Sequence, residues 1–322
     1  MPGNTLYIVV PCYNEEAVLP ETAHRLGEKL RALMNAGKIS PQSRAMFVND
    51  GSKDKTWAII EGLHQSDSLF CGVDLSRNRG HQNALLAGLM TARDRADMVV
   101  SMDADLQDDV DAVDAMVDKY LEGVDIVYGV RSSRKTDTFF KRTTAEAFYR
   151  MMDALGAETV FNHADYRLMS RRALDGLAQF TEVNLFLRGI VPMIGYRTDV
   201  VEYQRGERFA GESKYPLKKM IAFALEGVTS LSVKPLRMIT GLGFLVFFVS
   251  LVMIIYNVVR WATGNTVTGW ASIACSVWLI GGLILLALGV IGEYLGKLYM
   301  ESKDRPRFLI REVLDGGDGG SD

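Results

Sequence analysis

The segment DMVVSMDADLQDD, residues 97–109, changes from an apolar run to a cluster of acids within a few positions. The apolar and β-branched run predicts a buried strand, because such runs bounded by polar residues are typical of sheets covered on both faces. Asp103 and Asp105 stand two positions apart where this run ends. Since residues i and i+2 of a strand point to the same side, we expect both carboxylates to face one bound cation.

The same alternation of apolar strands and helical patterns extends along the chain. The predicted strands are residues 6–14, 44–50, 71–76, 97–105, 125–131 and 196–203, and the predicted helices are residues 16–36, 81–93 and those beginning near Thr56 and Asp109. After Arg131 the pattern is more helical until the last of these strands. Alternating strands and helices predict an α/β fold with a mainly parallel sheet, whose ligands bind beyond the carboxyl ends of the strands. That edge is expected to carry Tyr13, Asp50, Asp103, Asp105 and Arg131.

The charges are balanced overall but uneven along the chain. The sequence has 36 Lys and Arg against 39 Asp and Glu, which argues against nucleic acid as a partner. Residues 97–125 contain ten acids and one base, whereas residues 131–150 contain six bases and two acids. Carboxylates can hold a divalent metal and guanidinium groups can hold phosphates, so this pattern favours a site for a phosphorylated ligand.

Two long segments carry no charge. Residues 238–259 and 261–292 each exceed the roughly 20 apolar residues that a membrane-spanning helix needs. We predict transmembrane helices at about 238–260 and 271–293 within residues 237–296, preceded by an amphipathic helix at the membrane surface in residues 215–236. A buried hairpin of a soluble protein is the alternative, but Lys and Arg are concentrated on both outer flanks.

The position of these basic residues predicts an orientation. By the positive-inside rule both flanks face the cytoplasm, which makes residues 1–214 a cytoplasmic domain and residues 297–322 a cytoplasmic C-terminal tail of a multi-pass inner-membrane protein. Three widely spaced cysteines agree with a reducing compartment, and the first residues do not read as a signal peptide.

Four motifs follow one another along the predicted sheet: PCYNEE (11–16), VNDGS (48–52), RNRG (77–80) and DADLQ (103–107). Together with RFAGESK (208–214) and the apolar C-terminal segments, they resemble the family 2 glycosyltransferases of the GT-A fold. More narrowly, the chain resembles the polyprenyl-phosphate glycosyltransferases, a group that includes dolichol-phosphate mannose synthases and bactoprenol glucosyltransferases. The resemblance covers residues 5 to about 312, and one departure is Asn49, where Asp is common.

The resemblance implies roles for individual residues. Contacts with the nucleotide sugar are implied for Pro11, Tyr13, Glu15, Val48, Asp50, Asp103 and Ala104. Ligands for Mg²⁺ or Mn²⁺ are implied for Asp105 and Gln107, with Asp103 beside them. Binding of donor or lipid phosphates is implied for Arg131, Arg142, Arg208, Ser213 and Lys214. Asp105 and Arg131 are therefore expected to take part in catalysis, and His81, which follows RNRG, is interpreted as structural.

Asp165, in DYRL (165–168), matches the proposed catalytic carboxylate of the family. A lipid phosphate has a second pKa of about 6 by analogy with phosphoamino acids, so it is largely dianionic at neutral pH and needs little help from a base. Asp165 can instead orient an arginine or a sugar hydroxyl. Both interpretations remain open at this point.

The resemblance implies inverting transfer of a sugar from a nucleotide sugar, a UDP-sugar before a GDP-sugar, to undecaprenyl phosphate or a similar polyprenyl phosphate at the bilayer. One alternative is a processive polysaccharide synthase. Such enzymes carry a Gln-x-x-Arg-Trp motif on the cytoplasmic side, whereas the nearest string here has Asn257 in place of Gln and lies at the predicted outer end of the first span. Another is an inactive nucleotide-sugar-binding adaptor. A Gly292-x-x-x-Gly296 pair is compatible with a homo-oligomer.

Overall fold

The structure is a computed structural model that describes residues 4–132, 163–204, 229, 234–263 and 269–315. These residues divide into two units. The first comprises residues 4–132, 163–204 and 305–315, and the second comprises residues 229, 234–263 and 269–304.

The first unit is built on a mixed sheet. Its strands are β1 (Leu6–Cys12), β2 (Arg44–Asn49), β3 (Phe70–Leu75), β4 (Met98–Ser101), β5 (Ile126–Arg131), β6 (His163–Ser170), β7 (Thr198–Tyr203) and β8 (Ile310–Leu314). Its helices are α1 (Leu19–Asn35), α2 (Thr56–Ser66), α3 (His81–Arg93), α4 (Ala112–Leu121), α5 (Arg171–Ala178) and α6 (Leu187–Met193). The strand order among the described residues is β7-β5-β6-β4-β1-β2-β3-β8.

Most strands point in the same direction, as predicted. β1 pairs in parallel with β2 and β4, β2 with β3, and β5 with β7, whereas β6 and β8 run antiparallel to their neighbours. Because β6 separates β4 from β5 by two antiparallel steps, β5 has the direction of β4. The carboxyl ends of β1 to β5 therefore share one edge of the sheet, which we call the carboxyl edge.

Helices cover both faces of the sheet. Alternate residues of β1 belong to different cores: Leu6, Ile8 and Val10 lie in the core under α1, α2 and α4, and Tyr7 and Val9 lie in the core under α3, α5 and α6. This follows from the two-residue period of a strand, and it explains why β1 is apolar without interruption. The predicted α/β class is confirmed.

The predicted strands differ from the structure in three places. The strand expected at residues 97–105 ends at Ser101, and the acids beyond it lie in a turn. β6 was not predicted, because its buried sequence contains Asp165 and Arg167, whose charges break the apolar pattern. β8 was not predicted because its side chains are largely exposed at the edge of the sheet.

β8 belongs to a segment that we predicted only as a tail. It pairs with β3, and its Arg311 forms an ion pair with Asp74, whose side chain is fully buried. Asp74 also accepts a hydrogen bond of 2.7 Å from the side-chain amide of Asn49. The segment after the apolar helices therefore completes the sheet and neutralises a carboxylate inside it.

The second unit contains two long helices, α7 (Lys234–Ala262) and α8 (Trp270–Ser302), which contact each other. Segments of both, Lys234–Met253 and Leu279–Ser302, are long and apolar enough to cross a membrane, with mean hydropathies of 2.1 and 2.0. The predicted spans fall within these helices. Of the predicted interface helix, only Thr229 and residues 234–236 are described, and residues 316–322 of the tail also lie outside the described residues.

The Arg311 contact predicts a loss of stability in the Arg311→Ala variant, because Asp74 would stay buried without its cation. Breaking a fully buried ion pair costs roughly 3–5 kcal/mol, and we expect about 2 kcal/mol here because the side chain of Arg311 is 59% exposed and the Asn49 bond remains. Chemical denaturation of the full chain in detergent, followed by tryptophan fluorescence, measures this change. Arg305→Ala, an exposed change in the same segment, serves as the control. Equal stability of the two variants would contradict the role of Arg311.

Candidate active site

The loops that follow β1 and β2 are held together by side-chain contacts to the main chain. The N–H of Asn14 donates to Ser52 Oγ at 3.0 Å, and the N–H of Glu15 donates to Thr56 Oγ1 at 2.9 Å. In return, the N–H of Lys53 donates to the side-chain oxygen of Asn14 at 2.8 Å. Two of the four motifs thus form one connected surface at the carboxyl edge.

Asp50 connects the second motif to the third. It is 3% exposed, and its two carboxylate oxygens accept the N–H groups of Arg79 and Gly80 at 2.6 and 2.9 Å. Burial raises the pKa of Asp50, and these two N–H groups oppose the rise. Gly51 allows the close approach: its φ is +64°, and a Cβ there would lie 2.5 Å from the main-chain nitrogen of Asn78. Asp50 therefore shapes the loop that leads into α3.

The other residues predicted to contact a nucleotide differ in exposure. Tyr13 is 43% exposed and Glu15 is half-buried, so both are accessible at the edge. Pro11 is buried in β1, and the side chain of Val48 packs in the core beneath α3. A Cβ on Gly88 of α3 would lie 2.6 Å from a methyl group of Val48, which shows how closely α3 approaches the sheet.

The acidic motif lies in a turn and not on a strand. Leu106 has a φ of +57°, and the N–H of Gln107 donates to Asp105 Oδ1 at 3.1 Å. The carbonyl of Ala104 accepts a hydrogen bond of 2.8 Å from the hydroxyl of Thr22 in α1, which fixes the turn to the first helix. The expectation that strand alternation aligns Asp103 with Asp105 is therefore wrong, because the strand has already ended.

The carboxylates of Asp103 and Asp105 nevertheless interact with each other. Burial, together with repulsion from Asp108, Asp165 and Asp105, raises the pKa of Asp103 to about 6, although His81 opposes the rise. Crowded carboxylates of this kind are stabilised by a cation. No group of three or more acidic, histidine or cysteine ligands is found within the described ranges. Mg²⁺, however, is commonly held by one or two carboxylates together with substrate phosphates, so Asp103, Asp105 and the Gln107 amide fit such an ion.

Asp165 lies in β6 between two arginines. Its Oδ1 accepts a hydrogen bond of 2.6 Å from Arg167, which is 1% exposed, and Arg188 of α6 contacts both oxygens at 3.3 and 3.1 Å. His81 Nε2 lies 3.7 Å from Asp165 Oδ2 and 3.4 Å from Asp103 Oδ1. The structure therefore joins His81 at the start of α3, Asp103 of the acidic motif and Asp165 in one cluster.

The arginines control the charge of Asp165. Burial raises its pKa, but the charges of Arg188 and Arg167 outweigh burial and hold the pKa well below the usual range. Burial in turn lowers the pKa of Arg167, and the charge of Asp165 opposes this change. A carboxylate with a strongly lowered pKa is a weak base, so this arrangement does not favour Asp165 as a proton acceptor.

Arg131 lies at the end of β5, on the edge where we predicted it. Its Nε donates to the hydroxyl of Tyr203 at 3.2 Å, and its Nη2 lies 3.5 Å from Asp108 Oδ1. Tyr203 also donates to Asp108, and the ring of Tyr166 packs edge-on against that of Tyr203. Asp108, for which no role was predicted, is 2% exposed and fixes Arg131.

Some predicted residues are not described, and some contacts were not predicted. The phosphate-binding candidates outside the described residues are Arg142, Arg208, Ser213 and Lys214. Arg188 was not predicted as a site residue, and His81 was interpreted as structural. Arg188 is a single charge at the start of a short apolar helix. The sequence would point to it only through the requirement that a buried acid elsewhere in the chain has a cation as its partner.

Comparisons with known proteins identify two family models and several relatives that match the chain. Residues 7–177 match the model for glycosyl transferase family 2, and residues 234–298 match that for the GtrB C-terminal hairpin. An uncharacterized glycosyltransferase of Bacillus subtilis, YkoT, is 53% identical over 305 residues, or 95% of this chain and 90% of that protein. The bactoprenol glucosyl transferase of Shigella phage SfX is 39% identical over 310 residues, or 94% of this chain and 98% of that protein.

A solved structure is also similar. The mannosyl-3-phosphoglycerate synthase of Rubrobacter xylanophilus has 16% identity and a TM-score of 0.48, covering 73% of this chain and 74% of that one. The family assignment rests on the domain match and on the near full-length relatives. The chain is therefore a glycosyltransferase that belongs to family 2, and its C-terminal helices belong to the GtrB hairpin family.

Proposed function

We propose that this enzyme transfers a sugar from a nucleotide sugar, with a UDP-sugar favoured over a GDP-sugar, to undecaprenyl phosphate or a similar polyprenyl phosphate. The observation that carries the proposal is the match over 94% of the chain to a bactoprenol glucosyl transferase, which includes both the family 2 domain and the apolar hairpin. A lipid acceptor and a nucleotide donor both present phosphates, and the carboxyl edge offers the charges that bind them.

The geometry of the site suits charge stabilisation better than proton transfer. A lipid phosphate with a second pKa of about 6 is already a nucleophile at neutral pH. In-line attack of its oxygen on the anomeric carbon breaks the bond to the nucleoside diphosphate, forms the bond to the lipid phosphate and inverts the configuration. The main demand is then stabilisation of the leaving diphosphate, for which fixed cations and donors are effective.

Three residues could hold a divalent cation during this reaction: Asp103, Asp105 and Gln107. When bound, Mg²⁺ or Mn²⁺ supplies positive charge to the departing diphosphate. Arg131 is a second source of positive charge on the same edge, and Asp108 and Tyr203 fix its orientation. Tyr13 and Glu15 are accessible for contacts with the nucleotide, while Asp50 organises the loop beside them.

The apolar helices supply a reason for a lipid acceptor. α7 and α8 expose large apolar side chains along their length, which is unfavourable in water and favourable in a bilayer. Basic residues flank the pair on its outer ends, so the proposed orientation places both ends and the catalytic unit in the cytoplasm. A bilayer anchor keeps the enzyme where a polyprenyl phosphate presents its headgroup.

The donor and the acceptor can be tested directly. Purified full-length protein, short-chain polyprenyl phosphate, Mn²⁺ and radiolabelled nucleotide sugars are expected to give an organic-soluble labelled product with one donor, and NMR of that product is expected to show an inverted anomeric centre. A pure detergent blank and heat-inactivated protein are the controls. If no donor labels the lipid, the proposed function is wrong; a polymer as the product would instead support the processive synthase.

The metal assignment predicts the effect of Asp105→Asn. Loss of a carboxylate ligand is expected to lower turnover by at least about 100-fold, because less charge is then stabilised on the leaving group. Binding of Mn²⁺ in the presence of UDP, measured by electron paramagnetic resonance, is expected to weaken in parallel. Asp111→Asn is the matched control, since Asp111 is an exposed acid of the same segment that pairs with Lys29. Normal Mn²⁺ binding by Asp105→Asn would contradict the assignment.

The proposed orientation can be tested by thiol labelling of intact cells. In a Cys275→Ala background, the remaining cysteines Cys12 and Cys71 are buried and should not react. A membrane-impermeant maleimide is then expected to label Asn265→Cys, between the two helices, and to leave Lys303→Cys unlabelled until the cells are broken. The reverse pattern would place the catalytic unit outside the cytoplasm.

A further inference from the structure

The contacts of Asp165 form a chain from the protein interior to the surface. On the inner side, Arg167 is almost fully buried and donates from Nη2 to Asp165 at 2.6 Å. On the outer side, Arg188 has a side chain that is 35% exposed and contacts both carboxylate oxygens. A buried cation thus holds Asp165, and Asp165 holds a cation that solvent can reach.

Asp165 is paired with two arginines, of which only one is accessible from the surface. Asp165 supplies one negative charge, whereas Arg167 and Arg188 supply two positive ones. Because Arg167 is enclosed and the side chain of Arg188 is 35% exposed, Arg188 is the one of these two cations that a ligand can reach. A guanidinium has five N–H donors in one plane, so one edge can bind a carboxylate while another binds a phosphate.

Arg188 also lies near the acidic motif. Successive contacts of 3.1, 3.7 and 3.4 Å run from Arg188 to Asp165, from Asp165 to His81 and from His81 to Asp103. The helix that carries Arg188 is fixed beside α3, because the N–H of Leu187 donates to the side chain of Gln82 at 2.8 Å. The guanidinium therefore has a defined position at the carboxyl edge.

We propose that Asp165 is a positioning residue that holds the guanidinium of Arg188 at the carboxyl edge, where Arg188 binds a phosphate group of the nucleotide sugar or of the lipid acceptor. This inference rests on the proposed function only in that both substrates are phosphates. It assigns to Arg188 the contact with the ligand, and it removes from Asp165 the task of accepting a proton.

A double-mutant cycle distinguishes this role from that of a base. Asp165→Asn and Arg188→Gln are each expected to lower kcat/KM by about 100-fold, and the double variant is expected to be no worse than either single variant, because all three lose the same fixed cation. Arg188→Lys is expected to recover part of the loss. Arg93→Gln is the matched control, since Arg93 is similarly exposed and pairs with acids away from the site.

If Asp165 were a base, removal of the neighbouring cation would leave it ionised and more basic. Arg188→Gln would then keep kcat within about threefold of the wild-type value while Asp165→Asn lost activity, and this result would overturn the proposal. Losses that multiply in the double variant would overturn it as well, because they would indicate independent tasks. Arg188→Gln leaves the buried Arg167–Asp165 pair intact, so it remains informative if Asp165→Asn fails to fold.

A binding measurement keeps the test independent of turnover. Calorimetry of the full-length protein in detergent is carried out with UDP and Mn²⁺ and, separately, with a short-chain polyprenyl phosphate. Arg188→Gln is expected to weaken one of these ligands by about tenfold, and the affected ligand identifies the source of the phosphate. Unchanged binding of both would overturn the inference, whereas a wild-type protein that binds both and transfers no sugar would overturn only the proposed function.

Discussion

A carboxylate that leaves water must be neutralised or hydrogen-bonded, and this constraint governs the carboxyl edge of the sheet. Four acids there are almost completely enclosed: Asp50, Asp74, Asp108 and Asp165 are exposed by 3, 0, 2 and 8%. Each has cationic or N–H partners at hydrogen-bond distance or close to it. The loops that meet at this edge can therefore adopt few arrangements that leave no buried charge without a partner.

The partners come from parts of the chain that are far apart in sequence. The loop before α3 supplies N–H groups to Asp50, β5 supplies Arg131 to Asp108, and α6 supplies Arg188 to Asp165. The segment after the apolar helices supplies Arg311 to Asp74. By contrast, Asp103 and Asp105 are only half-buried, and their carboxylates repel each other when both are ionised. These two acids are therefore more accessible to a ligand from outside the protein than the four enclosed ones.

Residue patterns predict the parts of this structure that depend on local periodicity. The helix at residues 81–93 and the strands β1, β2, β3, β5 and β7 lie where apolar alternation places them, within a few residues. β6 is not predicted in this way, because its two buried charges, Asp165 and Arg167, interrupt the apolar pattern and pair with each other and with Arg188 of α6. The turn after β4 is not predicted either, because the residue types around Leu106 do not indicate its left-handed conformation. Pairings between distant residues are thus the part of the site that the sequence does not display.

Asn49 illustrates how one such pairing can account for an unusual residue. Its amide donates to Asp74 at 2.7 Å, and its oxygen accepts the N–H of Ser52 at 3.1 Å. An aspartate at this position could accept from Ser52, but it could not donate to Asp74, and two carboxylates would then share the single charge of Arg311. The neutral side chain instead links the strand that follows the apolar helices to the loop that carries Asp50. The C-terminal segment is thereby part of the architecture that supports the Asp50 loop at the carboxyl edge.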